Sequence, residues 1–77
     1  MQSLNYYDRV KVYEREVRQI LMDNVSAGFE MLSPEEIEGI KFSSWHDTDG
    51  NIICILPPSL RRRLKSETLI EIDLIKV

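Results

Sequence analysis

The chain has 77 residues, 43% of them apolar and 30% charged, with a net charge of −3 at pH 7. That balance belongs to a folded globular chain, not a disordered one. A chain this short buries only about 60% of its unfolded surface, which excludes a multi-domain enzyme and a deep cavity enclosed by one protomer. The expectation is a single small domain spanning 1–77.

Residues 5–26 read as a long amphipathic helix. Tyr6, Val10, Tyr13, Val17, Ile20 and Leu21 recur at steps of three and four, within about 100° of arc. Asp8, Lys11, Arg15 and Gln19 take the opposite side. Asn5 is the expected cap and Gly28 the expected stop. Glu14 and Arg18 form a favourable i,i+4 pair.

Ser33-Pro34-Glu35-Glu36 marks the start of a short second helix. Ser33 serves as cap, Pro34 sits at the first helical position, Glu36 closes a capping box and Gly39 ends the element. An extended segment over 40–46 follows, then the turn formers Asp47-Thr48-Asp49-Gly50-Asn51. The continuous apolar run from Ile52 to Leu56 reads as a strand covered on both faces, and the two segments make a hairpin.

Pro57 and Pro58 end that strand and start a helix over 59–66. In residues 68–77, Ile70, Ile72 and Leu74 alternate with Leu69, Glu71, Asp73 and Ile75, which predicts a closing strand. The expected fold is α+β, in the order α-α-β-β-α-β, with one three-stranded sheet.

Charge is segregated along the chain. Residues 30–49 carry Glu30, Glu35, Glu36, Glu38, Asp47 and Asp49 against Lys41, a net −5; residues 50–65 carry Arg61, Arg62, Arg63 and Lys65 without an acid, a net +4. On one helix, Arg61, Arg62 and Lys65 would share a face suited to phosphate contacts, with Leu60 and Leu64 turned inward. The competing reading has these cations neutralise the acidic middle of the chain.

No pattern for catalysis emerges. His46 is the one histidine and Cys54 the one cysteine, and Cys54 lies in an apolar run, where a thiol behaves as a small hydrophobe. His46 with Asp47 and Asp49 falls short of a zinc shell, and the turn does not match a calcium loop, since Trp45 and Leu56 would occupy ligand positions. Glu35, Glu36 and Glu38 suit a surface helix start. No glycine-rich phosphate loop is present. Neither enzymatic activity, a cofactor nor a metal is expected.

A single cysteine and the lack of a secretory-type apolar run in residues 1–12 point to a reducing, cytoplasmic setting. The longest apolar stretch, Ile52 to Pro58, falls well short of the ~20 residues a bilayer span requires, so no membrane association is expected.

Three stretches together, Gly50-Asn51-Ile52-Ile53, then Pro57-Pro58-Ser59-Leu60-Arg61-Arg62-Arg63-Leu64, then Ile70-Glu71-Ile72, resemble the pattern of AbrB/MazE-type swapped-hairpin regulators. That resemblance implies a dimeric DNA-binding or antitoxin domain. It covers under half of the chain, two extra residues precede Pro57, the loop after Leu64 lacks the family's glycine, and the long first helix has no counterpart. No function is carried over from it.

The expectation is therefore a small non-catalytic protein-interaction module, a regulator, adaptor or inhibitor acting as a homodimer. Tyr6, Tyr7, Tyr13 and Phe29 are its candidate aromatic anchors, and Glu35 and Glu38 its candidate acidic contacts. The alternative is a nucleic-acid-binding regulator that uses Arg61, Arg62 and Lys65.

Overall fold

The computed structural model describes residues 6–75. The elements run α1 (Tyr6–Ser26), α2 (Pro34–Glu38), β1 (Ser43–His46), β2 (Ile52–Ile55), α3 (Pro58–Arg63) and α4 (Ser66–Asp73). The fold is α+β, with helices around one two-stranded antiparallel sheet among the described residues. The chain order is thus α-α-β-β-α-α.

α1 is the helix that the apolar spacing predicts, and it lays Val17 and Leu21 fully into the core. Asn5, its expected cap, lies outside the described residues. The helix stops at Gly28, whose φ of 82° only glycine adopts at little cost. There the Phe29 N–H donates to the Asn24 carbonyl (2.8 Å) and the Gly28 N–H to the Val25 carbonyl (3.0 Å). This is the double bond pattern of a Schellman ending.

α2 carries the capping box expected of it. The Glu36 N–H donates to Ser33 Oγ (3.0 Å), and the Ser33 N–H donates to Glu36 Oε1 (3.3 Å). Arg18 on α1 then fastens the far end of α2. Its Nε donates to the Ile37 carbonyl (3.2 Å) and its Nη2 to the carbonyls of Glu38 (3.5 Å) and Ile40 (3.4 Å). The same guanidinium lies 5.3 Å from the Phe42 ring centroid and 3.7 Å from Glu14, the partner its i,i+4 spacing predicts.

The hairpin pairs Ser43 with Ile55, Ser44 with Cys54, Trp45 with Ile53 and His46 with Ile52. Asp47 organises the turn: its carboxylate accepts from the N–H groups of Asp49 and Asn51, each at 2.9 Å. Gly50 supplies the positive φ (81°) that the turn requires.

Two expectations about the last third of the chain do not hold. The basic helix is shorter than 59–66: α3 ends at Arg63, and Leu64 and Lys65 are extended before the chain turns into α4. Residues 66–73 form that helix where the alternation predicts a strand, so the sheet has two strands and not three. The isoleucine-rich run satisfies period two and period 3.6 alike. Contacts from elsewhere in the chain decide between them.

The deciding contact is Glu30, a carboxylate buried in the loop between α1 and α2. Its Oε2 accepts the Lys65 N–H (2.8 Å) and the Thr68 hydroxyl (2.6 Å), placing a negative charge at the start of α4. Asn24 Nδ2 then bridges α1 to Thr68 Oγ1 (3.1 Å) and Glu71 (3.3 Å). A helix here also turns Thr68 and Ile72 into the core and leaves Ile70 and Leu74 outside, whereas a strand would put Ile70, Ile72 and Leu74 on one face. Val17, Leu21, Leu32, Ile37, Leu56, Leu60, Leu64 and Ile72 form the core cluster.

Candidate interaction surface

The hairpin packs one face against α1 and turns the other outward. Ser44 lines a groove with Tyr7, Val10, Lys11 and Glu14 of α1, and the Cys54 thiol sits beside Glu14. Alternation along the strands sends Ser43, Trp45, Ile53 and Ile55 to the other side. There Trp45 remains 46% exposed and Ile55 40% exposed. The apolar run of β2 is therefore not covered on both faces, as its composition predicts. Among the described residues no third strand joins the sheet, and on this second face Ile53 is half-buried while Trp45 and Ile55 stay exposed.

The eight strand residues include no Lys, Arg, Asp, Glu or Pro, the residues that commonly guard exposed strands. Charge appears only beyond the strands, as Lys41 ahead of β1 and as Asp47 and Asp49 in the turn. Bonds from the Asn51 and Asp49 N–H groups hold the Asp47 carboxyl below its usual range, so the turn stays ionised.

The aromatic residues singled out from the sequence are divided among different environments. Tyr7 is exposed, with Lys11 Nζ 5.5 Å from its ring centroid. Tyr13 is partly buried, its ring edge-on to Phe42 at 6.2 Å, and burial raises its hydroxyl pKa. Phe29 is exposed and lines a cleft of about 380 Å³ with Asn24, Lys65, Glu67, Thr68 and Glu71. The Tyr6 side chain lies outside what the structure describes.

Glu35 and Glu38 are exposed on α2. The Glu38 backbone carbonyl is engaged by Arg18, as described above. Between them in sequence, Glu36 pairs with Arg63 at 2.7 Å, and that bond, reinforced by the Ser33 N–H, lowers the Glu36 pKa.

The basic segment is not one continuous face. Arg61 Nη2 reaches Asp73 Oδ2 on α4 at 3.1 Å, and Arg63 reaches Glu36 on α2. Lys65 stands at the start of α4, not on the helix that carries Arg61 and Arg62. Two of the four cations are thus tied to acids of the same chain, leaving Arg62 and Lys65 outside both pairs.

The two residues considered for nucleophilic chemistry are not directly opposed. Cys54 faces Ser44 across the ladder and His46 faces Ile52. Burial, with Glu14 nearby, pushes the Cys54 thiol up to about 11, opposite to the shift an activated nucleophile needs. Among the described residues, no three His, Cys, Asp or Glu side chains converge as a metal site, and no helix is long and apolar enough to cross a membrane.

The outward face of Trp45, Ile53 and Ile55 is the feature that composition alone did not reveal. Its signal lies in the register: Trp45 pairs with Ile53 because the loop is the five residues 47–51, centred on Asp49, whereas a two-residue turn at Asp49-Gly50 would pair Trp45 with Cys54.

The similarity to swapped-hairpin regulators also loses its final element, because Ile70-Glu71-Ile72 lies in α4 and not in a strand. The chain matches no protein-family model, no curated protein and no solved structure.

Proposed function

We propose that this protein is a non-catalytic interaction module that binds a protein partner through the outer face of its hairpin, as a regulator, adaptor or inhibitor. The observation that carries this reading is the partial exposure of Trp45 and Ile55 on an uncharged sheet face. A tryptophan flanked by isoleucines, desolvated by a partner, is the composition of an interface centre. The raised Cys54 pKa supports a role that needs no nucleophile.

Nucleic-acid binding has weaker support. Phosphate contacts through the basic segment would draw on Arg62 and Lys65, or would require Arg61 and Arg63 to leave their acidic partners.

Affinity capture from the source cell tests the choice, using wild type and Ile55→Glu with a salt series and nuclease. A protein retained by wild type after nuclease digestion and at high salt, and lost from Ile55→Glu, is the expected result. Recovery that nuclease abolishes, or that falls steeply with salt and ignores Ile55→Glu, would replace this reading with the nucleic-acid one.

A further inference from the structure

The hairpin's outer face has a composition that suits one occupant in particular, an identical face. Its strands are uncharged, so two copies approach there without the repulsion that a net charge of −3 imposes elsewhere. The charge it does have lies at its two ends. Asp47 and Asp49 occupy the turn, and Lys41, in a groove also lined by Glu35 and by the Glu36–Arg63 pair, stands two residues ahead of β1 at the other end. A twofold axis lying between two stacked sheets and perpendicular to their strands reverses the strand direction from one sheet to the other. Each acidic turn then comes to rest over the other copy's Lys41 end. The same axis lays apolar centre on apolar centre, as isologous contacts require.

We propose that a second copy of this chain covers the outer face of the hairpin, the two sheets stacked with opposite strand directions. Trp45, Ile53 and Ile55 of each copy then bury those of the other, and Asp49 approaches the partner's Lys41. This rests on the hairpin face being the protein-binding site and specifies its occupant.

The contact is small. Two four-residue strands, each about 13 Å long and about 5 Å apart, offer a face on the order of 130 Å², well below the roughly 800 Å² per partner of a standard interface. The association is therefore weak and reversible.

Trp45 is the one tryptophan in the chain, so its fluorescence reports on this face directly. Solution mass and Trp45 emission are measured together on the full chain over a dilution series. The expected result is a transition between 9.0 kDa and twice that mass, with the emission shifting to the blue as the mass rises. Ile55→Glu should raise the dissociation constant roughly tenfold or more, while Ile70→Glu on α4 leaves it unchanged. Asp49→Lys should weaken pairing, and Asp49→Lys combined with Lys41→Glu should restore it, an outcome that a merely structural role for either residue does not produce.

A 9.0 kDa particle at the highest soluble concentration overturns the proposal, as does a mass transition that leaves Trp45 emission unmoved. The emission arm needs no variant, so misfolding of Ile55→Glu does not remove the test. If the chain stays monomeric while Ile55→Glu still loses a captured protein, self-association falls and the wider binding reading stands.

Discussion

Glu30 is the residue on which the C-terminal third of the molecule turns. A buried carboxylate is costly unless it is hydrogen-bonded, and here Oε2 accepts both the Lys65 N–H and the Thr68 hydroxyl. Glu30→Ala leaves both donors unpaired and should lower stability by about 1–3 kcal/mol in urea unfolding, with Glu30→Gln less severe because one acceptor oxygen remains. Nothing in the local sequence marks Glu30 for this role, since its partners lie 35 and 38 residues away.

Cys54 makes a different prediction at the same scale. Its thiol pKa is raised from the usual 9.0 to about 11 in the folded state, so folding favours the protonated form. That contribution is fully present below pH 9.0 and is lost as pH rises toward about 11. Urea midpoints should fall over that window in wild type, and the part of the fall due to the thiol should vanish in Cys54→Ala. Native-state alkylation should be slow at neutral pH. Fast labelling there would contradict the burial argument.

Among the elements, those specified within a few residues were readable and those that depend on distant partners were not. α1 has enough turns for its apolar stripe to be unambiguous, and the α2 start is written in Ser33, Pro34 and Glu36. Ser33→Ala should cost about 1 kcal/mol, measured against wild type in chemical denaturation. The turn of the hairpin was equally legible from Asp47 and Gly50. What covers each face of the hairpin was not, because that depends on whether residues 68–77 add a strand.

α4 itself gives the sharpest contrast. A strand would treat Ile70 and Ile72 alike, whereas the helix leaves Ile70 59% exposed and Ile72 1% exposed. Ile72→Ala should therefore cost about 2–5 kcal/mol, and Ile70→Ala should stay within about 0.5 kcal/mol. Comparable losses at both positions would favour the strand.

At the scale of the whole molecule, the segregated charges of the sequence fold back on one another. Arg63 meets Glu36 and Arg61 meets Asp73, so much of the basic segment neutralises acids that lie far from it in the chain. These pairs are exposed and screened by salt, so Arg63→Ala should change stability little, and not at all in molar salt, by thermal melting. Of the two pairs, only Arg63 with Glu36 matches the reading in which the cations neutralise the acidic middle of the chain, since Asp73, the partner of Arg61, lies outside that segment. The same fold leaves the uncharged hairpin face as one place where the molecule can bury more apolar surface, beside the exposed Met31, Phe29, Ile70 and Leu74 elsewhere.

The most direct test of that view is a residue-by-residue map of amide chemical shifts across a concentration series, repeated with duplex DNA at low salt. The account predicts concentration-dependent shifts centred on Trp45, Ile53 and Ile55, with Arg62 and Lys65 unmoved in both series. Shifts confined to residues 61–65 on adding DNA, with the hairpin silent at every concentration, would contradict it.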